Sequence, residues 1–134
     1  MGGRGQRVFS GRLGDADRRW QRASHLGVQL EPDVEIIEEY AIHGLVSATG
    51  ELVLGAATRQ HRRRGAWHGS TRATLDAAGE RALRRSAKRV GVALAKAAYF
   101  GPFGVDAFLY RTRGELRLQP LSEINARYTM GWAT

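Results

Sequence analysis

The chain has 134 residues, and 43% of them are apolar, which is enough for one globular domain or part of one. It contains no cysteine, so disulfides, thiolate zinc sites and cysteine nucleophiles are excluded, and a reducing compartment is the simplest expectation. No apolar run reaches the roughly 20 residues of a membrane-spanning helix, and residues 1–9 lack the apolar centre of a signal peptide. We therefore expect a cytoplasmic protein without a membrane partner.

The formal net charge is +8, from 21 Lys and Arg against 13 Asp and Glu residues, and arginine supplies almost all of the positive charge. Arginine forks bind phosphates and carboxylates. The charge therefore fits nucleotide phosphates or nucleic acid, and a genome biased towards arginine codons explains it equally well. The basic residues are scattered, except for the run at 60–64.

The first part of the chain predicts a loop, a short helix and a short strand. Residues 1–14 hold five glycines and three arginines around Val8–Phe9, which indicates a flexible loop that leads into a short strand and a turn. Acidic capping residues predict a helix over about 15–24. The alternation at 28–30 predicts a strand that ends at Pro32.

The next segment predicts a hairpin followed by a loop. β-branched and aromatic residues indicate strands over 34–46 and 51–58, and a turn at 47–50 joins them. Residues 59–73 are polar, contain glycine and are rich in arginine. This composition predicts a surface loop.

A long helix and a second hairpin complete the predicted fold. Apolar residues spaced four, three, four and four apart predict a helix over about 76–98; they are Leu83, Ala87, Val90, Leu94 and Ala98. Strands are predicted over 103–110 and 116–125, with a turn at 111–114 and a break near Pro120. The predicted fold is α+β, with a mostly antiparallel sheet packed against one long helix.

The last two predicted strands carry polar residues suited to a metal. In a hairpin that turns near Arg113, Asp106 and Glu123 lie close across the pair, and Asn125 and Arg127 share a face with Glu123 if the segment is extended. Two carboxylates and an amide oxygen suit Mg²⁺ or Mn²⁺, and a guanidinium suits phosphate.

The alternative interpretation of the same residues is a strand with surface ion pairs. Glu123 would then pair with Arg117, and Asp106 would pair with Arg111. Both interpretations are compatible with the residue types alone.

These residues resemble the end of an ATP-grasp domain. Residues 101–108 (GPFGVDAF) and 123–127 (EINAR) are similar to its last two strands. The resemblance implies that Asp106, Glu123 and Asn125 hold Mg²⁺ between the phosphates of ATP. It also implies that Arg127 is a catalytic residue, which contacts the phosphate or an acyl-phosphate intermediate.

The resemblance extends upstream. Gly3, Arg4 and Gly5 are similar to the mobile glycine-rich loop that covers the nucleotide phosphates. Glu31 lies where the family contacts adenine and ribose. The expected division is residues 1–30, with the glycine-rich loop and a remnant of the small subdomain, and residues 31–134, with the nucleotide- and metal-binding subdomain. Some members of the family bind substrate on the following strand, which carries Glu38, Glu39 and His43.

The resemblance covers only the later part of the family's domain, because the lysine that normally precedes the glycine-rich loop has no counterpart. We therefore expect a truncated member that is inactive alone and is completed by a partner chain or oligomer. The implied reaction converts a carboxylate and ATP into an acyl phosphate, which an amine or a thiol then attacks.

Two other functions remain open at this stage. One is a basic nucleic-acid-binding module that uses Arg62, Arg63, Arg64 and the helix arginines, although few aromatic residues lie among these positions and we do not expect nucleic acid as the partner. The other is a non-catalytic remnant that needs a partner chain.

Overall fold

The computed structural model describes residues 8–9, 11–24, 27–63, 66–129 and 132. Contacts divide the chain into two compact units, Met1–Asp33 and Val34–Thr134. In the described part of the chain, no helix combines the length and the apolar character needed to cross a membrane.

The described part of the first unit contains one helix, α1 (Asp15–Ala23), which confirms the predicted helix, although its N-cap is Gly14 and not one of the aspartates. The Asp17 carboxylate accepts a hydrogen bond from the backbone N–H of Gly14 at 3.0 Å, and acidic residues in a first turn favour the helix dipole. The strands predicted at 8–9 and 28–30 are wrong, because these residues have no regular structure. Strand-like alternation does not form a strand without a neighbouring ladder.

The second unit is a five-stranded antiparallel sheet with one helix, which confirms the predicted fold class. Its strands lie in the order β3-β2-β1-β4-β5. The elements are β1 (Glu35–Val46), β2 (Leu52–Arg63), β3 (Ala66–Arg72), α2 (Ala77–Lys96), β4 (Gly101–Thr112) and β5 (Glu115–Asn125).

The predicted surface loop at 59–73 is wrong over most of its length. Strand β2 continues to Arg63, and β3 pairs with it antiparallel, with Arg59 opposite Thr71 and His61 opposite Gly69. Backbone hydrogen bonds form this outer hairpin, and most of its side chains at 59–62 and 67–72 are polar. Because the prediction used apolar alternation, it had no pattern from which to detect these strands.

Helix α2 packs on one face of the sheet, where it forms the core. The Asp76 carboxylate caps the helix by accepting from the N–H of Gly79 at 2.6 Å. The helix ends where Ala98 adopts a positive φ of 59°. The buried hydrophobic residues on this face are Tyr40, Ile42, Val46, Ala57, Leu83, Ala87, Val90, Phe103, Val105 and Ala107.

The β4–β5 hairpin turns at Arg113–Gly114, as predicted. Both residues have positive φ, 50° and 81°, which matches a two-residue type I′ turn and the right-handed twist of the strands. Asp106 pairs with Glu123 and Phe108 pairs with Gln119, so a bulge around Pro120 interrupts β5. The turn and the bulge together set the register of the residues that follow.

Candidate functional site

The two faces of β4 differ in chemistry. Phe103, Val105 and Ala107 are buried in the core against α2. Because side chains alternate along a strand, Asp106 points to the opposite face. We call this opposite face, which carries Asp106, Glu123, Asn125 and Gln60, the polar face of the sheet.

Asp106 and Glu123 are direct cross-strand partners in β4 and β5. Directly opposed residues of an antiparallel pair share a face, with Cβ atoms about 4.5–5.5 Å apart. Asn125 lies two residues beyond Glu123, opposite Gly104, and is 7% exposed. The structure therefore brings the three candidate metal ligands together on the polar face.

A chain of hydrogen bonds joins these residues. The Asn125 Nδ2 donates to Asp106 Oδ2 at 3.1 Å, and Gln60 Nε2 donates to Asp106 Oδ1 at 3.0 Å. The Arg127 guanidinium donates to Asn125 Oδ1 at 2.7 Å. Both oxygens of the Asp106 carboxylate thus accept hydrogen bonds from side-chain amides. The guanidinium of Arg127 is linked to this carboxylate through the amide of Asn125.

The environment of Asp106 disfavours its negative charge. Burial raises the pKa of this carboxyl, and the neighbouring charge of Glu123 raises it further. Hydrogen bonds from Gln60 and Asn125 and the positive charge of Arg62 act in the opposite direction. Two carboxylates that repel each other beside amide groups form a site that a cation would stabilise.

The alternative surface ion pairs do not form. Arg117 pairs with Glu115 at 3.0 Å, and Arg111 approaches Glu35 at 3.9 Å. All four of these side chains are at least half exposed. Asp106 and Glu123 therefore do not form the ion pairs with Arg111 and Arg117 that this interpretation requires.

The donor set fits a hard divalent cation. Mg²⁺ and Mn²⁺ take carboxylate and amide oxygens, and one or two carboxylates are usual when phosphates complete the shell. No group of three or more His, Cys, Asp or Glu residues that could hold a metal occurs in the part of the chain that the structure describes. A cation here would need oxygens from Asp106, Glu123 and Asn125 together with ligands from a bound phosphate.

Strand β2 contributes residues that the sequence analysis did not select for the metal site. Gln60 reaches Asp106, and Arg62 pairs with Glu39 at 2.7 Å, close enough for its charge to act on Asp106. Both residues were assigned to a surface loop. The neighbours of Gln60 and Arg62 in the sequence are also polar, so only the pairing of β2 with β1 shows which face they occupy.

His43 lies beside the candidate site. It is 8% exposed, and burial lowers the pKa of its imidazole. Its ring makes an edge contact with Trp132, at 6.1 Å between ring centroids. Gly104 lies opposite His43, and a Cβ atom there would come within 3.3 Å of the imidazole and 3.2 Å of Thr129. A glycine at this position therefore allows the close packing.

Of the four upstream candidate residues, the structure describes only Glu31. Gly3, Arg4 and Gly5 lie outside the described residues. Glu31 is exposed in the first unit and accepts a hydrogen bond from Gln29 Nε2 at 2.5 Å. The adenine-contact role of Glu31 stays a prediction.

The basic residues of the nucleic-acid alternative are only partly available. Arg62 is held by Glu39, while the Arg63 side chain and Arg64 lie outside the described part. The α2 cations are exposed on the helix side of the sheet; they are Arg81, Arg84, Arg85, Lys88, Arg89 and Lys96. The basic run and these cations therefore do not form a single described surface with the site.

In sequence comparisons, no protein-family model and no curated protein matches this chain. Structural comparison does find neighbours. They include N5-carboxyaminoimidazole ribonucleotide synthetase from Thermus thermophilus (TM-score 0.56, 16% identity, 84% of this chain and 31% of that one). The Staphylococcus aureus synthetase complexed with ADP has a TM-score of 0.55 and 15% identity, and covers 75% of this chain and 25% of its own.

A third neighbour is the Aspergillus clavatus synthase complexed with ATP (TM-score 0.51, 18% identity, 71% of this chain and 23% of that one). The chain thus spans only 23–31% of the length of these neighbours, which are ATP-grasp ligases. At such low identity the likeness concerns the fold. The predicted resemblance is confirmed at that level, and the chain has the fold of part of an ATP-grasp ligase.

Proposed function

We propose that this chain is the metal- and nucleotide-phosphate-binding part of an ATP-grasp ligase. The observation that carries the proposal is the register of β4 and β5, which sets Asp106 directly opposite Glu123 on the polar face. The neighbours complexed with ADP and ATP support nucleotide binding for the fold as a whole.

The carboxylate pair explains why a cation belongs at this site. Ionised Asp106 is disfavoured by burial and by Glu123, and a divalent cation between the two carboxylates would offset both effects. The hydrogen bonds to Asp106 use one acceptor position on each oxygen and leave a second one for a metal. When bound, Mg²⁺ would neutralise charge on the nucleotide phosphates.

Arg127 and Asn125 have separate roles in this proposal, one at the phosphate and one at the cation. The amide oxygen of Asn125 accepts from Arg127 in this structure. We propose that this oxygen turns to the cation when nucleotide is present, and that the guanidinium moves to a phosphate oxygen. The exposure of Arg127 supports such a movement. A guanidinium stabilises the charge of a transferring phosphoryl group.

The complete enzyme would carry out a two-step ligation. A carboxylate oxygen of the substrate attacks the γ-phosphorus of ATP, forming an acyl phosphate and releasing ADP. An amine or a thiol then attacks the acyl carbon and releases phosphate. Because this chain spans less than a third of its neighbours, binding and not turnover is the direct test.

Calorimetry with the full chain tests the proposal. Wild-type protein should bind ATP only when Mg²⁺ is present. Glu123→Gln and Asn125→Ala should each weaken that binding at least tenfold, as expected for a lost metal ligand. Glu115→Gln is the matched control on the same strand, since Glu115 pairs with Arg117 and is 69% exposed; its binding should equal that of the wild type.

Two results would contradict the proposal. Equal heats for wild type, Glu123→Gln and Asn125→Ala would remove the metal site from these residues. A folded wild-type chain that gives no Mg²⁺-dependent ATP signal would remove nucleotide binding from the chain. Circular dichroism of each protein establishes that it is folded before the titration.

A further inference from the structure

We propose that Gln60 is a positioning residue of the metal site, whose side-chain amide fixes the Asp106 carboxylate in the orientation that a divalent cation requires. This inference rests on the proposed function and names a residue that acts on the cation through Asp106. Gln60 does not itself need to touch the metal or the nucleotide.

The hydrogen bond from Gln60 crosses an intervening strand. Gln60 belongs to β2 and Asp106 to β4, and β1 lies between them in the sheet. The Gln60 Nε2 nevertheless reaches Asp106 Oδ1 at 3.0 Å, linking positions 46 residues apart. The amide must extend across the surface of β1, a reach that the shorter side chain of asparagine does not have.

Ala41 lies beneath the hydrogen bond between Gln60 and Asp106, which we call the bridge. It is the cross-strand partner of Asp106 on one side and of Thr58 on the other, and it is 0% exposed although it lies on the polar face. Thr58 is also buried and donates to the carbonyl oxygen of Ala41 at 3.3 Å. A larger side chain at position 41 would occupy the space through which Gln60 passes.

The bridge fixes the carboxylate in two directions. Gln60 holds Oδ1 and Asn125 holds Oδ2, so rotation of the carboxylate about χ2 would break one or both bonds. A neutral amide also adds no positive charge that would compete with a cation. Partners that orient ligating carboxylates in this way contribute about 10–100-fold to metal affinity.

Titration of the full chain with Mn²⁺ in the presence of ATP, followed by electron paramagnetic resonance, tests the inference without any need for turnover. Gln60→Leu should weaken Mn²⁺ binding about tenfold or more. Gln60→Asn should weaken it similarly, because the amide is retained but falls short. Gln119→Leu is the matched control: Gln119 pairs with Phe108 on β5 and donates to the carbonyl of Leu121, away from Asp106.

A double variant separates positioning from general destabilisation. Ala41→Val should also weaken Mn²⁺ binding, because it obstructs the bridge. Combining Ala41→Val with Gln60→Leu should weaken it no further than the stronger single variant, since both remove the same hydrogen bond. Independent structural damage would instead multiply the two losses, and thermal melting shows whether each variant is folded at the titration temperature.

The outcomes separate this inference from the proposed function. If the wild type binds Mn²⁺, Asp106→Asn loses it, and Gln60→Leu binds as tightly as Gln119→Leu, the inference is wrong and the proposed function stands. Multiplied losses in the double variant would equally overturn the positioning role. If the folded wild type binds no Mn²⁺, the proposed function fails and the inference fails with it.

Discussion

Different interactions dominate the two faces of the sheet: apolar burial on the helix side and charge repulsion on the polar face. On the helix side, Phe103, Val105 and Leu83 are 0% exposed, and apolar burial against α2 stabilises the unit. On the polar face, Asp106 and Glu123 are opposed on neighbouring strands, where the charge of Glu123 disfavours that of Asp106. One face contributes stability, and the other retains an electrostatic cost that a bound cation would remove.

This difference shows how a single strand can serve both purposes. Along β4 the residues alternate between core and site, so Val105 and Ala107 anchor the backbone on either side of Asp106. The packed core therefore fixes the position of the carboxylate without contacting it. Changes on the helix side should lower stability, and changes on the polar face should alter binding and pH dependence.

The largest effect on stability should come from the helix side. Phe103→Ala should lower the free energy of unfolding by about 3–5 kcal/mol, because it removes a fully buried aromatic ring and leaves a cavity. Phe108→Ala is the control on the polar face, where the half-buried ring contacts Tyr110 at 5.7 Å between centroids. Urea unfolding measures both variants. If Phe108→Ala lowered the free energy of unfolding as much as Phe103→Ala, the contrast between the two faces would be wrong.

A smaller effect, dependent on pH, should come from Asp106→Asn. Because the folded-state pKa of Asp106 is raised, the folded protein holds its proton more tightly than the unfolded chain does. The wild type should therefore lose stability as the pH rises from the ordinary carboxyl pKa towards the raised one, by at most about 1.4 kcal/mol per pH unit. Asp106→Asn removes this dependence.

Urea unfolding of wild type and Asp106→Asn from pH 3 to pH 7 makes the comparison. The stability of the variant relative to the wild type should increase with pH and level off once Asp106 is ionised in both states. Saturating Mg²⁺ and ATP should stabilise only the wild type. A relative stability that decreases with pH would show that hydrogen bonding to the ionised carboxylate outweighs its burial.

The smallest effect should come from the exposed pair of Arg117 and Glu115. Both side chains are more than half exposed, so Arg117→Ala should change the free energy of unfolding by less than about 0.5 kcal/mol. Arg127→Ala gives the matched arginine change beside the site. It should leave stability similar but weaken Mg²⁺-dependent ATP binding, whereas equal binding by both variants would remove Arg127 from the phosphate role.

Most of the architecture could be predicted because local patterns carried it. The spacing of Leu83, Ala87 and Val90 predicted α2, and Arg113–Gly114 marked the turn of the last hairpin. The extension of β2 to Arg63 and the strand β3 were missed, since their polar residues follow no apolar period. The short strand predicted at 28–30 failed for the converse reason: alternation was present, but no neighbouring strand pairs with it in the described part.

The amino-acid sequence by itself determined which oxygens and guanidinium are available, and the hairpin that opposes Asp106 and Glu123 follows from a local turn. Only the tertiary structure decided that Gln60, two strands away, reaches Asp106 over Ala41. Strand order and lateral reach depend on how distant segments pair. No pattern within one segment encodes them, because the contacts form only when the whole sheet is assembled.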